Sequence, residues 1–219
     1  TLIFGIMGVI NLSHGSFYMI GAYLAWSLTD LSGNFWIAVI CAFAISVVLG
    51  LFLEKYLFSY LYRVDHLRQV LMTYGLILVI DSLRSLIWGD DVHGVEIPTI
   101  FNGTIQITET LSYPIYRIAL SAICLLIALG LYIVVGKTKL GMTIRAGSFD
   151  REMTQALGIN ITILYRIVFS FGIALAGFAG MIAAPVSSVF PGMGDQILIV
   201  SFIVVVIGGI GSLKGAMLA

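Results

Sequence analysis

Apolar residues fall in long blocks separated by short polar islands. Residues 35–53 and 70–88 each supply a block of nineteen, 167–186 one of twenty and 114–135 one of twenty-two. A helix needs about 20 apolar residues to cross a bilayer, so each block predicts a membrane span. Residues 197–207 are apolar too, but run into a glycine-rich segment that Lys214 follows. The start differs: residues 1–10 and 15–28 are apolar, with Asn11-Leu12-Ser13-His14 between them. That interruption predicts a broken N-terminal helix. The fold class expected is all-α, a polytopic transmembrane helix bundle in one domain over 1–219. Both ends lie inside apolar runs, so a fragment of a longer chain is expected and the span number is a lower limit.

The islands differ in charge. Residues 54–69 carry Lys55, Arg63 and Arg68, and residues 136–166 carry Lys137, Lys139, Arg145, Arg151 and Arg166. Residues 89–113 have no Lys or Arg but hold Asp90, Asp91, Glu96 and Glu109. Lys and Arg resist translocation, which places the first two islands in the cytoplasm and the third outside. Lys214 falls on the cytoplasmic side as well, and only Arg117 sits against the rule. Within 89–113, short alternating runs about Asn102-Gly103 predict a small hairpin turn. It would serve as a docking site for an external partner or as a plain cap over the outer mouth.

Composition sharpens this. The chain is 60% hydrophobic and 10% charged, with a mean hydropathy of +1.08, far from the quarter charged that is usual in soluble domains. Eleven basic residues match eleven acidic ones, so no basic face forms for nucleic acid. Cys41 and Cys124 sit inside apolar blocks and read as small packing residues. No GxxxxGK[ST], HExxH, GxSxG or CxxC is present, and His14, His66 and His93 lie in three separate regions. No catalytic set, metal site or cofactor is expected.

Polar groups inside apolar blocks are costly and need a reason. Asp81 and Arg84, three apart on one helix face, can neutralise each other or form a substrate gate. Asn11, Ser13 and His14, followed by Gly15, would expose backbone that survives at membrane depth only when buried in protein or lining a wet cavity. They either line a translocation path or cap a helix and pack. Tyr18, one turn on, and Thr73 with Tyr74 in another span are the next path candidates. Gly172, Ala176, Gly180 and Ala184 recur every fourth residue, a smooth ridge suited to close helix packing within the chain or against a second subunit. Gly211, Gly215 and Ala219 repeat the device.

The order of motifs resembles the permease subunits of branched-chain amino acid ABC importers, a family that includes urea and amide importers. The resemblance rests on GIMGVINLSHG at 5–15, FYMIGAYLA at 17–25, GKTKLGMTIRA at 136–146, DREMTQALGIN at 150–160, GIALAGFAG at 172–180 and IGGIGSLKGAML at 207–218. Such permeases carry a cytoplasmic coupling segment of the form EAA-x-x-x-G that docks on the ATPase. Glu152 and Gly158 keep the six-residue offset, while Met153 and Thr154 replace the two alanines. A short helix over 150–157 stopped by Gly158 is expected there, with Arg145, Asp150, Arg151 and Glu152 as coupling residues; the bland alternative is a solvated basic loop.

The resemblance implies a multi-pass protein of the prokaryotic plasma membrane, surrounded by lipid. It implies a second permease subunit, two cytoplasmic ATP-binding subunits and an extracytoplasmic substrate-binding protein as partners. Hydrolysis of ATP would take place on a separate chain. The substrate implied is a branched-chain or other hydrophobic amino acid, with urea or a short amide as the alternative. A secondary transporter or channel, needing no ATPase, is the alternative of a different class.

Overall fold

The computed structural model describes residues 8–9, 11–62, 64–108, 111–209 and 211–219. Residues 1–7 and 10, on which the first half of the expected broken helix falls, lie outside them, as do Arg63 and Glu109.

α1 (His14–Ser32) ends at Gly33, whose left-handed φ of 64° turns the chain while its N–H closes on Thr29 O. Asn34 then starts α2 (Phe35–Leu53), its side chain accepting the N–H groups of Trp36 and Ile37 at 2.9 and 3.4 Å. Such a cap satisfies two of the donors that every helix start leaves open. α2 does not stop at Leu53. It widens into a π-helical turn, Glu54–Phe58, and closes with α3 (Ser59–Leu61). α4 spans His66–Trp88. A 3-10 turn at Thr99–Phe101 precedes β1 (Thr104–Thr108) and β2 (Leu111–Pro114), an antiparallel pair. α5 (Ile115–Lys137), α6 (Lys139–Phe149), α7 (Arg151–Ala156), α8 (Ile161–Ser187), α9 (Met193–Gly208) and α10 (Leu213–Leu218) complete the order.

Among the described residues, four helical segments are long and apolar enough to cross a membrane: Phe35–Leu61, His66–Trp88, Ile115–Lys137 and Ile161–Ser187. The protein is an all-α polytopic bundle with a small two-stranded sheet. Its hub is α8, 61% buried over its apolar window against 6% for α5, which therefore turns nearly its whole surface outward. The outward faces are aliphatic, as lipid requires, since acyl tails solvate Leu as well as a protein core does.

Helix runs through much of the two basic islands. In residues 54–69 it continues to Leu61 and restarts at His66, leaving a short turn. Residues 136–166 are likewise mostly helical, holding α6, α7 and the first turn of α8. Charge marks where a helix leaves lipid, not where it ends, because Lys and Arg stems are compatible with helix. Asn102-Gly103 does not turn the hairpin: it precedes the paired strands, and Gly103 supplies a carbonyl to Ile115 N–H at the foot of the pair. Thr and Ile after Gly103 carry the strand propensity, so the pairing starts there. Cys41 and Cys124 also differ: both are exposed on outward faces, not packed inside.

Candidate functional site

The break before α1 is a small hydrogen-bonded turn. Asn11 Oδ1 accepts the Ser13 backbone N–H at 3.1 Å and the Ser13 hydroxyl at 2.6 Å. Ser13 is fully buried, and its carbonyl accepts the N–H groups of Ser16 and Phe17. The Leu12 N–H is directed at Thr73 Oγ1 of α4, 3.4 Å away. The Thr73 hydroxyl in turn is bonded to the carbonyls of Gln69 and Val70. α9 closes the third side: Gly15 and Gly194 meet backbone to backbone, with no room for a Cβ on either. Non-helical backbone is thereby enclosed by protein, the condition for its survival at membrane depth. One donor stays unspent. The Asn11 amide Nδ2 is buried with no partner among the described residues.

Of the path candidates, Asn11, Ser13, His14 and Thr73 come together here. Tyr18 does not join them. It is buried in the α1–α8 contact, where its carbonyl lies against Gly180. Tyr74 is 53% exposed, on a different face of α4 from the buried Thr73. Adjacent residues in a helix do not share a face, so of these two only Thr73 meets the turn.

The segment after α6 folds as a capped single-turn helix. Asp150 has extended backbone and its Oδ1 accepts Met153 N–H at 2.9 Å, the geometry of an N-cap. Glu152 sits exposed in the first turn, where a carboxylate complements the helix dipole. Gly158, with φ 85°, ends the turn, its N–H closing on Gln155 O at 2.9 Å. Two sides of α7 differ. Arg151 turns inward, its guanidinium 5.8 Å from the Tyr62 ring centre and 5.3 Å from that of Tyr165. Glu152 and Met153 of α7, Phe149 at the end of α6 and Leu157 at the C-cap of α7 are all exposed, the three apolar side chains at 95% (Phe149), 60% (Met153) and 75% (Leu157). The spacing of four between these apolar residues does not mark one helix face, because the extended backbone of Asp150 separates Phe149 from α7. Arg145 is exposed and donates to the Val135 carbonyl near the end of α5, tying α6 to that helix end.

The small-residue ridge lies inside the chain. A Cβ on Gly180 would overlap the Tyr18 carbonyl, and one on Gly21 of α1 would overlap Gly177 O. Gly172, Ala176 and Ala184 are buried on the same helix. α2 reaches α8 through Gly50, whose added Cβ would sit 2.9 Å from Ser170 Cα. At the other end of the bundle, Arg84 is nearly buried and held by Asp81 at 3.0 Å, Asp90 at 2.8 Å and the Gly89 carbonyl at 2.6 Å. Hydrogen bonds from Arg84 and then Ser85 hold the Asp90 carboxyl below its ordinary range. This is a neutralising clamp that ends α4, joined to α1 by the Trp88 indole donating to Ser27 Oγ at 2.6 Å.

The family described as branched-chain amino acid transport system, permease component, matches residues 1–219. The chain belongs to that family. Among its curated relatives, the high-affinity branched-chain amino acid transport permease BraD of Pseudomonas aeruginosa is 30% identical over all of this chain and 75% of its own length. LivH of Escherichia coli K12, of the same description, is 27% identical over all of this chain and 75% of its own. The probable branched-chain amino acid permease LivH of Methanocaldococcus jannaschii is 26% identical over all of this chain and 70% of its own. No solved structure gives a significant match.

Proposed function

We propose that this chain is the membrane-spanning permease subunit of an ATP-driven importer, passing branched-chain or other hydrophobic amino acids received from an extracytoplasmic binding protein. The observation that carries the reading is the permease-component family match along the whole chain, 1–219. The geometry supports it in two places. The segment around α7 exposes Phe149, Met153 and Leu157 together with Glu152, apolar and charged groups of the kind that dock in a groove on a cytoplasmic ATPase. The Asn11–His14 turn, with Thr73, offers hydrogen-bonding groups within the bundle, and the unspent Asn11 amide is a donor for a substrate carboxylate. A path for a zwitterion needs a few such groups and no tight site, because selection falls to the binding protein.

In this reading the working unit sits in the plasma membrane. Two permease subunits, this chain and an identical or homologous one, join two ATP-binding subunits. Residues 54–69 and 136–166 face the cytoplasm and 89–113 the outside. Catalysis belongs to the ATPase alone; this chain has no enzymatic part.

The test is purification of the complete protein from its native membrane, followed by reconstitution with whatever copurifies. An ATPase should come with it, and ATP should drive leucine uptake once the binding protein is added. Leucine uptake without nucleotide would make it a secondary carrier. Uptake of urea or acetamide in place of leucine would move it to the amide branch of the family.

A further inference from the structure

At the basic end of the bundle, a buried carboxylate joins elements far apart in sequence. Glu54 is fully buried, and its Oε2 accepts Arg166 Nε at 2.7 Å across 112 residues of chain. Glu54 opens the π-helical turn of α2. Such turns are rare and recur at functional sites, because the widened backbone redirects side chains. Arg166 stands in the second turn of α8, the hub helix. The pair therefore locks α2 to α8.

The same cluster reaches α7. The Tyr62 hydroxyl lies 3.5 Å from Glu54 Oε1, and burial and the neighbouring Glu54 carboxylate push its pKa up, so it stays a protonated donor. The Tyr62 ring packs edge-on against Tyr165 at 5.3 Å. Arg151 of α7 covers both rings, and the Tyr165 hydroxyl donates to Gly147 O of α6 at 3.0 Å. A chain of contacts thus runs from the inner side of α7, through two tyrosines, to an ion pair between two spanning helices.

Burying a carboxylate with one cation returns little stability, since desolvation offsets most of the attraction. Apolar side chains would hold α2 on α8 as well. What an ion pair adds is direction: it breaks or holds as a unit when its partners are displaced. The geometry points to a transmission joint. We infer that Glu54 and Arg166, as positioning residues, convert displacement of α7 by the ATPase into relative movement of α2 and α8. This rests on the proposed ATP-coupled function.

The experiment uses the whole complex in proteoliposomes and measures leucine uptake and ATP hydrolysis together, for wild type, Glu54→Gln, Arg166→Gln and Arg166→Lys. The outer face of α7 is untouched in all of them, so the ATPase should copurify in wild-type amount. Glu54→Gln and Arg166→Gln should keep hydrolysing ATP while uptake per ATP falls about tenfold, within the usual range for coupling between sites. Arg166→Lys, which keeps the charge, should recover much of the ratio. An uptake-to-hydrolysis ratio unchanged in both neutral variants, or a proportionate fall in the two rates, overturns the joint and leaves a structural tie. Tyr62→Phe removes only a hydroxyl and keeps the test open should Glu54→Gln fail to assemble; it should lower the same ratio, and an unchanged one counts against the joint. A wild-type complex with no ATPase would sink the coupled-transport reading itself, and this inference with it.

Discussion

The hydroxyl oxygen of Thr73 lies 3.4 Å from the backbone nitrogen of Leu12, 61 residues away, and ties the turn before α1 to the middle of α4. Thr73 is only 1% exposed, and Leu12 is half-buried. Thr73→Val keeps the shape and removes the acceptor. The bond is long, so the expected loss is about 1 kcal/mol, the lower end for a buried donor left unpaired. Thermal unfolding in detergent reads it directly, and an unchanged midpoint would mean that the turn stands without α4.

Cysteine placed at Asn11, Ser13 or His14, with Cys41 and Cys124 replaced, should react with a small water-soluble thiol reagent if the turn lines the path. Both native cysteines are exposed and would otherwise label. Substrate, or trapping of the ATPase, should slow the reaction. Absence of labelling in every state, with transport intact in all three variants, leaves the turn a packing element.

Even one methyl group is too much at Gly180, because the Tyr18 carbonyl occupies its place. Gly180→Ala should destabilise the fold by about 1–3 kcal/mol, the usual range for overpacking, and Ala176→Leu should act in the same direction. Gly130 on α5 has open space around it, so Gly130→Ala is the matched control and should lose nothing. Equal melting of the two glycine variants would disprove the close packing of α1 on α8.

On α7, Glu152→Lys and Met153→Asp alter the outward face without touching the inward contacts of Arg151. Each should insert normally yet bind the ATPase at least about tenfold more weakly, a change of 1.4 kcal/mol. Gly158→Pro should do so through the backbone, since φ 85° is closed to proline. Pull-down of the ATPase with each variant decides this. Normal binding by all three would remove α7 as the docking element.

The Asp90 carboxyl is held below its ordinary value of 3.8 by Arg84 and Ser85. A depressed carboxyl stabilises above that value and loses its contribution as pH falls through the lower, folded one. The melting difference between wild type and Asp90→Asn should therefore be constant from neutral pH down to about 4 and vanish only in stronger acid. A difference that faded between pH 7 and 5 would show that Asp90 is not held in this way.

The fold class was legible because lipid imposes a one-dimensional rule: about twenty apolar residues in a row must form a span. The blocks at 35–53, 70–88, 114–135 and 167–186 correspond to α2, α4, α5 and α8 to within a few residues at most ends, and the cap and stop of α7 were written in Asp150 and Gly158. These are local signals, decided within a few residues of chain. Helix ends in the basic islands were not legible, because a charged side chain ends a span without ending a helix. The ridge on α8 was visible as a period of four, but only the packed chain shows that α1 covers it. The side of α7 that Arg151 faces, the separation of Thr73 from Tyr74, and the pairing of Glu54 with Arg166 belong to tertiary structure. Each depends on which distant helix lies opposite, and no spacing along the chain encodes that.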